Sequence, residues 1–260
     1  MRRHRRPVLT SLAGVCVAVL VAGPAVAAAA PPDPAPGGPQ RPYEPDVNGP
    51  ENIDSLTVSV TREKGTRKGV TVTFDRKSVS ASGGVPAGAR RFVLLYDPSI
   101  RFNPEAFPTC SRDVLVDEGP QACPAASRVG RAAGTQLDGT RLQAIGYNAR
   151  IAGRPGILLH FPDTGVLLEQ TIEQVTAPYR ADYRWAIDEL IMPNDQPPEE
   201  RAGTSRFELT FGATRSTAGR TVSFVETTAK PGARLKFGLW SEFVTGQVVL
   251  PTAHAVLPAS

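Results

Sequence analysis

Few residues in this sequence are of types that do chemistry, so their spacing carries the first argument. Beyond residue 30 the chain has two histidines, His160 and His254, and two cysteines, Cys110 and Cys123. Serine or cysteine catalysis needs a histidine base held beside the nucleophile on well-formed elements. No Gly-x-Ser-x-Gly turn occurs. His160 falls in an apolar strand on the face opposite Ile157, Leu159 and Phe161, which predicts a surface or interface histidine. His254 lies in a Pro/Ala-rich tail expected to be poorly ordered. No catalytic residue is assigned.

Paired carboxylates are the other route. Glycan-cleaving enzymes hold two of them about 5 Å apart when retaining and about 6.5–9.5 Å apart when inverting. Glu169 and Glu173 share a face about 13 Å apart if their segment is a strand, and approach to about 6 Å if it is a helix. Asp188 and Glu189 point to opposite faces of a strand, and Glu199-Glu200 sit in a Pro-rich loop. Asp97, Asp163 and Asp195 fall in turns, where aspartate is favoured for backbone hydrogen bonding. No calcium loop, His-Glu-x-x-His or spaced His/Cys set occurs, so no metal and no cofactor is expected. Trp185, Trp240, Tyr147 and Tyr183 could stack sugar rings, but alternating aromatics in strands more often form core.

Cys110 and Cys123 read as a structural disulfide. The pair is not a Cys-x-x-Cys redox motif, and no His/Cys cluster completes a zinc site. The bridge closes a loop of about 14 residues, worth about 3 kcal/mol in the chain-entropy description.

The elements that must position these groups are strands. Leu56, Val58 and Val60 alternate with Thr57, Ser59 and Thr61, and Val70, Val72 and Phe74 alternate with Thr71 and Thr73. Further strands are expected at Phe92 to Tyr96, Ala144 to Ile151, Ile157 to Phe161, around Tyr183, Trp185 and Ile187, at Phe207 to Phe211, at Val222 and Phe224, and within Leu235 to Leu250. Ser111 to Glu118 predicts a short helix, with Ser111 as N-cap and Gly119-Pro120 ending it. Leu168, Ile172 and Val175 have helical spacing but β-branched content, leaving strand and helix open. The fold class expected is all-β, an antiparallel β-sandwich with a partly open β-barrel as the alternative, and one short helix near the disulfide.

Residues 1–30 read as an export signal. Arg2, Arg3, Arg5 and Arg6 precede an apolar run from Val8 to Val21 and an Ala-rich cleavage zone. The run is about 14 residues, short of the ~20 of a spanning helix, so no stable membrane span is expected after cleavage. Arg5-Arg6 is a weak match to a twin-arginine signal, and Val15 before Cys16 argues against a lipoprotein. The signal holds four arginines and no acid, while the whole chain has 29 basic and 25 acidic residues. The exported chain is therefore formally neutral, and nucleic acid is not an expected partner. Residues 31–50 carry eight prolines and read as an extended linker. A single domain then spans 51–250, followed by a tail at 251–260.

The stretch Phe107-Pro108-Thr109-Cys110-Ser111, then Gly119, Cys123-Pro124, Ser127, Val129-Gly130 and Ala132, carries a resemblance. It is similar to a C-S…C-P-x-x-S-x-V-G pattern in uncharacterised secreted β-rich proteins of actinobacteria. Thr204 to Gly212 and Leu235 to Gly246 resemble later blocks of the same group. Members often have a further Cys-Pro where this chain has Lys230-Pro231. The resemblance implies an exported β-rich protein and no particular activity. Together these readings predict a secreted or envelope-associated, non-catalytic domain. The alternatives are an extracellular carrier of an apolar or glycan ligand, with a cell-envelope glycan or lipid as partner, and a glycan-active hydrolase.

Overall fold

Period-two alternation is realised strand after strand in the computed structural model of the chain, which describes residues 30–217 and 219–259. The expected export signal falls, but for Ala30, outside the described residues. The first strands are β1 (Asn52–Arg62), β2 (Val70–Ser80), β3 (Ala89–Tyr96) and the short β4 (Ile100–Phe102). A meander follows the disulfide loop: β5 (Arg128–Thr135), β6 (Arg141–Ile151), β7 (Arg154–His160), β8 (Leu167–Gln174) and β9 (Trp185–Leu190). The last are β10 (Arg206–Phe211), β11 (Thr214–Thr217), β12 (Arg220–Ser223), β13 (Val225–Thr227), β14 (Arg234–Phe243), β15 (Val248–Val249) and β16 (Thr252–Val256).

Twelve of these strands form one antiparallel sheet in the order β1-β2-β10-β5-β6-β7-β8-β9-β3-β14-β15, with β16 on the other half of β14. The sheet rolls until β1 lies against β16. Side chains stitch the seam at both ends: Gln247 Nε2 donates to Asn52 O at 2.9 Å, and Arg62 Nε to Pro258 O at 2.9 Å. The chain is thus all-β as expected, and the partly open barrel describes it better than two stacked sheets. Period two then makes one face of every strand interior.

That interior is apolar and full. Val58, Val72, Phe74, Leu94, Ile157, Ile187, Leu209, Phe211 and Phe237 are buried in one cluster. Phe74 packs edge-on to Tyr96 and Phe237, with ring centroids 5.1 and 5.6 Å apart. The pair β4–β13 plugs one end, where Phe102 and Phe107 both meet Phe224. Each such side chain contributes roughly 1.5–3 kcal/mol by leaving water. The outward faces of β1 and β2 carry Ser55, Thr57, Ser59, Thr73, Asp75 and Lys77, the reverse of a membrane barrel's apolar exterior. Among the described residues no helix is long and apolar enough to cross a membrane.

Two outer patches are covered by other parts of the chain. The disulfide loop lies over Tyr147, Ala149 and Leu158 on β6 and β7. Cys110 and Cys123 are bonded, with Cα atoms 5.3 Å apart. The expected short helix is present as a helical turn ending at Glu118. Val114 N bonds Ser111 Oγ at 3.3 Å, and Gly119 turns away at φ +83°. Asn148 Nδ2 holds the loop by donating to the carbonyls of Pro104 and Phe107, both at 3.0 Å.

Two expectations need correction. Residues 31–50 do not trail as a linker: Pro34 and Ala35 are buried against β3, β9 and β14, and Val47 N bonds Val244 O at 3.0 Å. The tail from 251 is not loose either. β16 pairs along β14, burying Ala255 and Leu257, because alternate residues of Ala253-His254-Ala255-Val256-Leu257 fit one more inward face. The ambiguous segment around Leu168 and Ile172 is a strand, β8.

Candidate functional site

The residues singled out for chemistry are not brought together. His160 is on the outer face of β7 as expected, yet it is buried at 8 % exposure between Ile145 on β6 and Leu167 on β8. Of the surface-or-interface reading, the surface half is corrected: the ring is buried, flanked in register by Ile145 and Leu167. His254 is exposed on β16. Glu169 and Glu173 share the outer face of β8 and are taken up by Arg112 and Arg154 at 3.0 and 2.7 Å. Glu199 and Glu200 are exposed in a helical turn. Asp97 caps its own turn by accepting from Ser99 N at 2.9 Å, while Asp163 and Asp195 are exposed. Tyr147, Tyr183 and Trp240 are buried in outer-face clusters and Trp185 packs against the interior. Among the described residues no group of three or more His, Cys, Asp or Glu could hold a metal.

Asp188 and Glu189 do point to opposite faces, and both are buried. Asp188 faces outward and takes two bonds from Arg91, both at 2.7 Å. Burial pushes its carboxyl up against the pull of Arg91, and Asp33 and Glu173 add to the push. Glu189 faces into the barrel, where burial raises it to about 7 while the bond from Gln170 Nε2 opposes. A second interior charge, Arg76, is paired with Asp54 at 2.6 and 3.0 Å, with Phe92 and Phe243 on its guanidinium faces at 5.0 and 5.6 Å.

Among the described residues the inside of the barrel is closely filled. A cavity of about 10 Å³ lies among Phe74, Phe92, Phe207, Leu239, Arg76 and Glu189, space for about one water. Ligand pockets run to about 300–1,000 Å³.

A groove of about 1170 Å³ lies at the end of the barrel where β1 turns into β2. One wall is the turn Glu63–Gly69 and the other is β12 with the segment after β13. Gly65, at φ +76°, makes the turn, and Gly69 lets it approach β12, since a Cβ there would collide with Ser223. Into this groove the chain places Arg62, Lys64, Arg67, Lys68, Arg220 and Lys230, against two carboxylates, Glu63 and Glu226. Among the described residues none of the six cations has a carboxylate within 4.0 Å. Arg62 donates to Pro258 O and Arg67 O, which fixes it at the groove. Thr66, Thr221, Thr227 and Thr228 interleave hydroxyls, and the described lining holds no aromatic ring. Such a surface suits repeated anionic groups and lacks the stacking platform neutral sugars use.

Sequence reasoning passed over this groove because it weighed net charge. The local signal was there: Arg62-Glu-Lys-Gly-Thr-Arg-Lys68 has four basic residues in seven. No family model matches the chain, and no curated protein matches it.

Proposed function

We propose that this chain is an exported, non-catalytic β-barrel domain that binds an anionic polymer of the cell envelope, such as a phosphate- or carboxylate-bearing glycan, through the basic groove. The observation that carries the reading is six cations against two carboxylates in one groove, none of the six ion-paired among the described residues, while residues 31–260 as a whole balance 25 basic against 25 acidic residues. The disulfide suits an oxidising compartment, and the likeness of the Cys110–Ala132 segment to exported actinobacterial proteins agrees with that address. The full interior argues against a carrier of apolar ligands.

The test is calorimetric titration of the exported chain with inorganic polyphosphate, and with a neutral glucan of equal length, over a range of salt. Polyphosphate is expected to bind with log K falling against log salt at a slope on the order of −4, as for six contacts on a single-stranded polyanion. The glucan is expected not to bind. Reversing three charges (Lys64→Glu, Arg67→Glu, Lys230→Glu) should weaken polyphosphate by at least about tenfold. Equal binding by that variant, or binding insensitive to salt, would reject the groove.

A further inference from the structure

The proline-rich strap at residues 31–38 is held in a way that differs from ordinary packing. Donors on the barrel reach its backbone carbonyls in succession: Trp240 Nε1 to Pro31 O at 3.2 Å, Tyr179 Oη to Pro32 O at 2.8 Å, Thr176 N to Pro34 O at 3.0 Å, and Arg91 Nη2 to Ala35 O at 3.1 Å. Ala35, at 1 % exposure, fits among Val175, Tyr183 and Trp240. Asp33 reaches Arg91 Nη1 at 2.6 Å. Aromatic walls with side-chain donors aimed at the carbonyls of an extended proline-rich chain are the physical basis of polyproline recognition. Such a ligand has few N–H groups to satisfy and little entropy left to lose.

The face is also electrically complete without the strap. Arg91 is already doubly bonded to Asp188, and Arg154 is bonded to Glu173. Asp33 is thus a third carboxylate on a balanced set, so its departure leaves no buried charge unpaired. We infer that the outer face around Trp240, Tyr179, Thr176 and Arg91 is a binding site for extended Pro-Pro-acid-Pro-small peptides. The chain's own residues 31–38 fill it in cis, and a proline-rich segment of a partner protein takes their place. A small residue must follow, because a Cβ at Gly38 would come within 2.7 Å of Asp188 Oδ2.

The probe is a fluorescein-labelled peptide of residues 31–40, added to the full exported chain. With Asp33→Ala and Pro34→Glu loosening the strap, saturable binding is expected. The wild-type chain should bind at least about tenfold more weakly, since its tethered strap competes at an effective concentration of order millimolar. Tyr179→Phe in the loosened background should weaken the peptide further. A loosened chain with native near-ultraviolet circular dichroism that takes up no peptide overturns the site. Should the loosened chain not fold, a protease site placed at the exposed Pro42-Tyr43 supplies the second measurement. After the cut, excess peptide is expected to exchange with the strap, and a strap that never exchanges also overturns the site. Wild-type dimers that the peptide dissolves would make a second copy the occupant and overturn the assignment to a partner protein.

Discussion

Replacing Glu189 by glutamine should stabilise the protein at alkaline pH and do nothing at acid pH. Glu189 is 1 % exposed inside the barrel, flanked in register by Phe92 on β3 and Gln170 on β8. The nearest cation lining its cavity, Arg76, is committed to Asp54, and Asp188 beside it in sequence repels. Burial therefore dominates, and the carboxyl rises from 4.5 to about 7. The folded chain then holds this proton more tightly than the unfolded chain. Stability from this group is fully present below 4.5 and is lost as pH rises through about 7. At about 1.36 kcal/mol per pH unit the gap amounts to about 3 kcal/mol. Glutamine keeps the shape and an acceptor for Gln170 Nε2, and stays neutral throughout. Urea unfolding of wild type and Glu189→Gln from pH 4.5 to 8.5 should give curves that coincide at the acid end and separate by about 3 kcal/mol at the alkaline end. Taking the difference removes Asp188, whose shift has the same sign. A constant offset between the two proteins, or a variant less stable at pH 8.5, would refute the reasoning.

Two further perturbations test the fold. Asp54→Ala leaves the Arg76 guanidinium, 2 % exposed, without its carboxylate, and should cost about 3–5 kcal/mol in chemical denaturation. Changing Asp54 to alanine together with Arg76 to methionine should recover much of that loss. The double change Cys110→Ser, Cys123→Ser opens the loop of sequence separation 13. It should lower stability by about 3 kcal/mol while the barrel's far-ultraviolet spectrum is kept.

The strands legible in the sequence were those with bulky alternation, such as Val70, Val72 and Phe74. β5 was not, because its inward face is made of small residues. Gly130 sits there since a Cβ would meet Phe211 Cδ1 at 2.7 Å, so the phenyl ring of β10 fills the space a side chain would take. Gly134 has no such crowding, its nearest neighbour being 3.5 Å away. The strap was read as a linker for a related reason. Proline content reports which local conformations are open, and polyproline geometry is the same free in water or bound in a groove. The donors that distinguish the two, on Trp240, Tyr179 and Arg91, lie about 60 to 210 residues away, beyond the reach of any periodicity argument.

The same limit explains why net charge misled. Neutrality over residues 31–260 is a sum, whereas recognition depends on where the charges fall. Here the acids are drawn inward and toward the strap: Asp54 to Arg76, Asp188 and Asp33 to Arg91, Glu44 to Arg201 and Arg90. Each pairing uses a cation away from the β1–β2 end and leaves that end with six cations against the two carboxylates Glu63 and Glu226. The buried pairs and the exposed groove are thus one distribution. A charge-reversed groove should consequently bind less without unfolding, while a change at Asp54 should unfold without altering the groove's salt dependence at temperatures where the barrel still stands. Measured on the same two variants, a loss of stability in the groove variant as large as that of Asp54→Ala would break this separation.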